Sequence, residues 1–267
     1  MMLRHTTLPP FIHPRLLFSP IADNDDDLEP LHNCISLMHM LNSRVAGSRK
    51  LFWRNVRMEC ERFCAENSTW NRWKWLAALQ ALCVYLILRL DEGQTEHNNF
   101  DYLMVAAVAA ISSHLNTPEM TPSSNGRELT WKDWIFEESR RRLCVIYQIL
   151  NLLVFFEPAN MCSLHESQLL LAPLPAKRPL WEAADEASWR AESEKDAEAQ
   201  VDFGLATSGE LVKLQNGLLV DCHAPMEVAR PGDAGGSSAW SAARWDEWSA
   251  GMDGFGGLVM LAASMLG

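Results

Sequence analysis

The sequence predicts an all-α protein, and three observations support that class. Helix-favouring residues such as Leu, Ala, Glu, Arg and Met dominate a chain that is 48% hydrophobic. Apolar residues recur every three or four positions over long segments, which is the spacing of one helix face. Val, Ile, Thr and Tyr do not form the alternating runs that strands require. The length of 267 residues is sufficient to bury a hydrophobic core.

The first half of the chain contains four predicted helices. Proline punctuates residues 1–28, which we expect to form an extended lead-in. Pro30 then stands where a first helical turn tolerates proline. The apolar spacing predicts helices over Pro30–Leu41, Ser48–Glu66, Thr69–Leu90 and Tyr102–Leu115.

The second half begins with the longest predicted helix, Trp131–Phe156, which Pro158 ends. Thr130 is a good N-cap for it, with Asp133 as a capping-box partner. The second half of this helix is strongly apolar, so we expect it to be central to the core. Its apolar stripe consists of Ile146, Ile149, Leu153 and Phe156.

The segments that follow are more polar. The residues from Trp181 to about Gln200 have helical spacing but are acidic, and residues 221–240 are rich in Gly, Pro and Ser. The chain closes with an apolar helical segment, Trp245–Leu266. These features predict a helical core at 29–190, an acidic helix and flexible linker at 191–240, and a C-terminal helix at 241–267 that docks on the core.

The net charge of −11 is unevenly distributed. Residues 1–150 hold 16 Lys+Arg and 17 Asp+Glu, whereas residues 151–267 hold 7 and 17. Neither half has the basic surface that binding to nucleic acid phosphates requires, so we expect no direct DNA binding. The longest uninterrupted apolar runs are also too short to span a bilayer, and we expect no membrane partner.

The seven cysteines predict reduced, buried thiols in an intracellular protein, because their number is odd and most of them lie in apolar helical stretches. None of them forms a CxxC pair, and no histidine stands at ligand spacing from Cys60 and Cys64. His32 and His39 lack a carboxylate partner in a metal-binding motif. The chain contains no nucleophile elbow and no phosphate-binding glycine loop. We therefore predict no metal site, no catalytic residue and no cofactor.

One acidic run is the only support for an enzyme. Residues 23–29 contain a DDxxE spacing formed by Asp25, Asp26 and Glu29, which in helical terpene cyclases holds magnesium. In this chain the run lies between Pro20 and Pro30 and has no second metal motif downstream. A solvated loop and favourable charge at a helix N-terminus explain it better.

The basic run at residues 140–142 has two interpretations. Three consecutive arginines fit a nuclear-import or phosphate-binding role. However, Glu137 and Glu138 precede Arg141 and Arg142 by four residues, the favourable order for helix ion pairs, each worth about 0.2–0.5 kcal/mol when exposed. We favour structural pairing, and no suitable acid stands four residues before Arg140.

Four stretches resemble the regulatory, or middle homology, domain of fungal binuclear zinc-cluster transcription factors. The lead-in Leu8–Pro14 is similar to the segment that opens that domain, and the helix from Trp131 is similar to its tryptophan, glutamate and paired-arginine helix. Residues 174–183 resemble its Leu-Trp-Glu-Ala element, and the tail Trp245–Leu261, which contains Asp253–Gly256, resembles the helix-turn that follows it. The residues that carry the resemblance are Pro10, His13, Pro14, Trp131, Trp134, Glu138, Arg141, Arg142, Pro175, Trp181, Glu182 and Trp189.

The resemblance implies an orthogonally packed helical domain that regulates transcription in the nucleus, or in nucleus and cytoplasm. It implies protein partners, either in the transcription machinery or as a full-length zinc-cluster factor, and is compatible with a small-molecule effector. The cysteine-rich DNA reader of the family has no match in this chain. Two alternatives stay open: a helical metal-dependent enzyme using Asp25, Asp26 and Glu29, and a scaffold or decoy that pairs with a full-length factor.

Overall fold

Helices form most of the chain that the structure describes, as the predicted all-α class requires. The structure is a computed structural model that describes residues 8–18, 25–43, 45–115, 130–154, 170–195, 202–206, 211–215, 218–219, 245–246 and 248–266. The α-helices are α1 (Arg15–Phe18), α2 (Glu29–Asn42), α3 (Ser48–Glu66), α4 (Arg72–Glu92), α5 (Asp101–Leu115), α6 (Trp131–Val154), α7 (Arg178–Trp181), α8 (Glu186–Lys195) and α9 (Phe255–Leu266). Short 3-10 turns lie at Asp25–Leu28 and Asn67–Thr69.

The helix ends follow local capping. Helix α3 begins and ends where the apolar spacing predicts. Helix α4 begins later than predicted because Asn71 caps it, and the Asn71 side chain accepts a hydrogen bond from the Lys74 amide at 3.0 Å. Thr130 caps α6 as predicted, since its hydroxyl accepts from the Asp133 amide at 3.1 Å. In the second half of α6, Ile146 and Ile149 are buried, whereas the side chain of Leu153 and all of Phe156 lie outside the described residues.

The chain divides into two compact units. Unit 1 comprises residues 1–123 and 146–161, and unit 2 comprises residues 124–145 and 162–267. Helix α6 therefore contributes its first half to unit 2 and its second half to unit 1. Spacing alone could not reveal this division, because both halves of α6 carry buried side chains along one continuous helical pattern.

Helix α4 is the centre of unit 1. All its residues from Trp75 to Leu86 are buried, and α2 and α5 pack against it. The Tyr147 hydroxyl of α6 donates a hydrogen bond to the Leu79 carbonyl at 2.8 Å within the same core. Among the described helices, α4 alone is long and apolar enough to cross a membrane by length and composition, and most of its apolar stretch is buried inside the protein.

The described part of the lead-in is folded, contrary to the extended conformation predicted for residues 1–28. A turn closes with a 2.9 Å hydrogen bond from the Ile12 amide to the Pro9 carbonyl, and α1 follows. Phe11 and Ile12 are buried, and the fully buried Gln80 donates to the Phe11 carbonyl at 2.9 Å. The prolines shape the turn, and burial of the apolar residues between them stabilises it.

Unit 2 contains a small antiparallel sheet that the sequence pattern did not predict. Its strands, β1 (Leu170–Pro173), β2 (Asp202–Ala206), β3 (Leu211–Gln215) and β4 (Leu218–Leu219), pair in chain order. Three of the strands lie in the region 191–240, where we expected an acidic helix and a flexible linker. They escaped the pattern because they are short and use Leu and Phe rather than β-branched residues; Leu205 and Leu211 are paired and buried.

Candidate functional site

Arg142 is the centre of a buried polar cluster in unit 2. Although arginine is rarely fully buried, the side chain of Arg142 is 0% exposed. The cluster consists of Glu138, Arg142, Ala176, Trp181, Asp253 and Phe255, and we refer to it as the Arg142 cluster. Its members come from α6, from the segment that leads into α7, from α7 itself, and from the turn that begins α9.

Two carboxylates and a backbone carbonyl engage the guanidinium of Arg142. Its Nε donates to Glu138 Oε1 at 2.9 Å, and its Nη1 donates to Asp253 Oδ2 at 2.8 Å. Nη2 lies 3.5 Å from the Ala176 carbonyl oxygen. The same Glu138 oxygen accepts the Ala176 amide at 2.9 Å. Removing Glu138 or Arg142 would therefore leave a buried polar group of the other without its charged partner.

Aromatic rings cover the guanidinium. Its central carbon lies 4.1 Å from the centroid of the Trp181 ring and 5.3 Å from that of Phe255. Both rings are almost completely buried. A cation held this close to an indole face and shielded from water gains a cation–π attraction that adds to its ion pairs.

Local structure holds the C-terminal part of the cluster in place. Gly251 has a φ of +83°, which a side chain at that position would strain, and its carbonyl accepts the Arg178 amide at 3.0 Å. Asp253 uses its second oxygen to accept the Phe255 amide at 3.0 Å, just where α9 begins. Asp253 therefore caps α9 and pairs with Arg142 at once.

The chemistry of the cluster is structural rather than catalytic. Burial raises the pKa of Glu138, although Arg142, Arg141 and the Ala176 amide favour its charged form. The guanidinium has no solvent-facing side, so a substrate has no direct approach to it. The arrangement fastens three separate chain segments of unit 2 together.

The structure changes the predicted pairing of the basic run. Glu138 pairs with Arg142 as predicted, but the pair is buried rather than exposed, so its loss should cost far more than a surface pair. Arg140, predicted to lack a partner, pairs with Glu137 three residues earlier at 2.7 Å. The sequence did indicate that this pair is buried, because Glu138 and Arg142 lie on the apolar face of the helix between Ile135 and Ile149.

The other residues of the family resemblance occupy several places. In unit 2, Pro175 and Trp189 are buried, and the Trp189 ring centroid lies 5.9 Å from that of Trp134. Glu182 is exposed and pairs with Arg178. Trp131 and Arg141 are partly exposed. In unit 1, His13 is buried, Pro10 is partly exposed and Pro14 is exposed; His13 Nδ1 accepts the Arg15 amide at 3.2 Å.

The acidic run predicted as the alternative metal site has other partners. Glu29 pairs with Arg62 at 2.6 Å and with Lys74 at 3.1 Å. Burial raises the pKa of Glu29, but these two cations outweigh it and the net pKa is lowered. Asp26 is exposed, and the side chain of Asp25 lies outside the described residues. Within the described part of the chain, no group of three or more His, Cys, Asp or Glu residues could hold a metal ion.

A second buried polar cluster lies in unit 1. The Tyr85 hydroxyl donates to Glu59 Oε2 at 2.5 Å, and both side chains are buried. Burial raises the pKa of Glu59 despite the hydrogen bond from Tyr85. Burial also raises the pKa of the nearby Cys34 thiol above its ordinary range. Burial therefore disfavours the charged forms of the Glu59 carboxyl and the Cys34 thiol, as expected for core residues.

The cysteines only partly follow the prediction of reduced, buried thiols. Cys34, Cys60 and Cys83 are free and buried, whereas Cys64 is free and exposed. Cys144 is disulfide-bonded. Its partner lies outside the described residues, and the odd number of cysteines could not reveal this pair.

The buried carboxyl of Glu59 predicts a pH-dependent effect of Glu59→Gln. A carboxyl whose folded-state pKa is raised stabilises the protein fully below its ordinary pKa of 4.5 and loses that contribution as pH rises through the folded pKa. The amide keeps an acceptor for Tyr85 and cannot ionise. We therefore expect Glu59→Gln to raise the melting temperature at neutral pH and to leave it unchanged below the ordinary carboxyl pKa.

Thermal unfolding at two pH values measures this difference. Glu61→Gln is the control, since Glu61 stands on the exposed side of the same helix, and we expect this substitution to change the melting temperature little. A Glu59→Gln variant that is less stable than the parent at neutral pH would show that the buried carboxylate is charged and favourable.

Comparison with known proteins leaves the family of the chain open. No family model, curated protein or solved structure matches it. Its function must therefore be inferred from the residues themselves. The feature that carries such an inference furthest is the Arg142 cluster, because it unites segments far apart in sequence.

Proposed function

We propose that this chain is a non-catalytic regulatory module of the type found in fungal zinc-cluster transcription factors. It acts on gene expression through protein contacts and has no DNA reader of its own within this sequence. The proposal includes the finer fold, an orthogonally packed regulatory domain, and residence in the nucleus or in nucleus and cytoplasm.

The observation that carries the proposal is the composition of the Arg142 cluster. Glu138 and Arg142 belong to the tryptophan–glutamate–arginine helix, Trp181 to the Leu-Trp-Glu-Ala element, and Asp253 to the Asp-Gly-Phe-Gly turn. These are three of the four stretches that resemble the family. Short matches that arise by chance have no reason to meet in space, so their contact supports the resemblance.

Charge and chemistry support a role in protein contact. The net charge of −11 disfavours a grip on nucleic acid phosphates. In unit 1 Glu59 bonds to Tyr85, and in unit 2 Asp253 bonds to Arg142, so these buried polar groups are engaged within their own unit. The enzyme alternative depends on Glu29 as a metal ligand, but the Glu29 carboxylate already pairs with Arg62 and Lys74. We therefore favour a binding module over a metal-dependent enzyme.

A reporter assay tests the proposal. The full chain is fused to a heterologous DNA-binding domain, and transcription is measured from a reporter with sites for that domain. We expect a several-fold increase or decrease relative to the DNA-binding domain alone. Arg142→Ala should abolish the effect, because it disrupts the fold of unit 2, whereas Arg178→Ala should preserve it, because Arg178 is exposed.

The same assay separates a regulator from a decoy. Co-expression of the unfused chain with a full-length zinc-cluster factor should lower reporter output from that factor if the chain acts as a decoy. A fused chain that leaves the reporter unchanged, together with an unfused chain that neither alters nor co-precipitates with zinc-cluster factors, would contradict the proposed function.

A further inference from the structure

We propose that the outer face of α3, together with the groove between α2 and α3, binds an acidic amphipathic helix of a partner protein. We define the α3 face by Lys50, Leu51, Arg54 and Met58. The inference rests on the surface of unit 1 alone. It goes beyond the proposed function and stands whether or not the chain regulates transcription.

Two apolar side chains project from this face. Leu51 is 48% exposed and Met58 is 56% exposed. They are seven residues apart on one helix, so they stand on the same side about two turns, or about 10 Å, from each other. A partner helix whose apolar residues recur at i, i+3 or i+4, and i+7 matches this separation.

Two free cations flank the apolar pair. Lys50 and Arg54 are exposed and form no ion pair or hydrogen bond with any residue that the structure describes. Two neighbouring arginines of α3 are engaged: Arg57 pairs with Glu61 at 3.1 Å, and Arg49 pairs with Glu92 at 3.1 Å. In a chain with a net charge of −11, two uncompensated cations beside exposed Leu and Met fit a partner that carries carboxylates next to its apolar stripe.

The groove beside the α3 face has the shape for a helix. Arg62, near the end of α3, bonds Glu29, the first residue of α2, so the two helices run antiparallel. Between them lies a groove of about 640 Å³ whose apolar lining includes Leu37 of α2 and Met58 of α3. The two helices form ridges, and between them Leu37 and Met58 stand among mostly polar side chains; one turn of an amphipathic helix can place its apolar residues on this pair.

The carboxylates of the groove favour a peptide, rather than a membrane or a nucleic acid, as the partner that binds this face. Glu29, Glu59 and Glu66 line the groove, and Glu61 stands on the exposed side of α3. An anionic membrane or a nucleic acid backbone would bring phosphates against these groups. A discrete helix can place its acids opposite Lys50 and Arg54 and present neutral or basic residues to the acidic end of the groove.

Peptide binding to the full chain tests the inference. The probe is a fluorescent helical peptide of about 20 residues with Leu at i, i+3, i+4 and i+7 and Glu at the flanking positions. A second peptide carries Lys in place of every Glu. The binding variant is Lys50→Glu with Arg54→Glu, and the matched control is Arg190→Glu with Lys195→Glu on α8, which makes the same change in net charge at exposed sites.

We expect the parent chain and the control variant to bind the acidic peptide, with an affinity that falls as salt rises. The Lys50→Glu, Arg54→Glu variant should bind at least about tenfold more weakly. The lysine peptide should bind the parent more weakly than the acidic peptide. Because both substituted residues are exposed and unpaired, circular dichroism should show an unchanged fold.

Four results would overturn the inference. The first two are that the parent does not bind the acidic peptide, or that the Lys50→Glu, Arg54→Glu variant binds it as tightly as the parent does. The other two are that the parent binds the lysine peptide at least as tightly as the acidic peptide, or that the α8 control loses as much affinity as the variant. Binding of the parent to phosphatidylserine vesicles that the variant loses, without peptide binding, would assign the face to a membrane. None of these results bears on the reporter assay, so the two proposals fail separately.

Discussion

Arg142→Ala should destabilise unit 2 by about 3–5 kcal/mol. The substitution removes the partner of Glu138, which is 1% exposed at the side chain, and one partner of Asp253. It also removes the cation that lies over the Trp181 ring. Breaking a buried ion pair from one side costs more than the pair contributes, because the remaining charge keeps its desolvation penalty.

Urea unfolding followed by near-ultraviolet circular dichroism reports on this loss, because Trp181 lies in the cluster. Arg178→Ala is the control, since Arg178 forms an exposed pair with Glu182 on a neighbouring segment, and we expect little change from it. If Arg142→Ala unfolds at the same urea concentration as Arg178→Ala, the Arg142 cluster does not hold unit 2 together.

Trp53→Ala should cost unit 1 about 3–5 kcal/mol. The Trp53 side chain is 0% exposed and packs edge-on against Phe52 and Phe100. Its indole nitrogen donates to Glu92 Oε2 at 2.8 Å. The substitution therefore leaves a large cavity and removes a hydrogen bond, whereas Glu92 retains its pair with Arg49.

Two further variants separate the contributions. Trp53→Phe keeps most of the volume and loses the hydrogen bond, so its cost should be well below that of Trp53→Ala. Leu51→Ala, two residues away on the exposed side of α3, should change stability little. Equal melting temperatures for Trp53→Ala and Leu51→Ala would contradict the burial of Trp53.

The spacing of apolar residues located the helices, because a helix that is buried on one face carries an apolar residue there every three or four positions. Helix α3 is the clearest case, since its buried residues Phe52, Val56, Cys60 and Phe63 recur every three or four positions within the predicted helix. At the Arg142 cluster the same spacing was misinterpreted, because the prediction treats Glu138 and Arg142 as an exposed ion pair. Charged residues on an apolar stripe indicate a buried pair only when their partners are known, and Asp253 lies 111 residues away in sequence.

The small sheet shows a different limit. Strands as short as Leu218–Leu219 contain too few residues for alternation to be visible. Their pairing depends on contacts between segments rather than on a pattern within one segment. The apolar spacing also could not predict the α3 face. It indicates which residues are buried, but it does not show which exposed cations form ion pairs.

Because α6 belongs to both units, no single cut divides the chain into two complete units. A fragment that ends at residue 123 lacks residues 146–161 of unit 1. In that fragment, the Leu79 carbonyl would lose the Tyr147 hydroxyl. A fragment that begins at residue 124 would carry the second half of α6 without the core that buries Ile146 and Ile149. Any single truncation point therefore removes part of one unit or leaves part of the other attached, and single-residue substitution is the sounder way to assign properties to each unit.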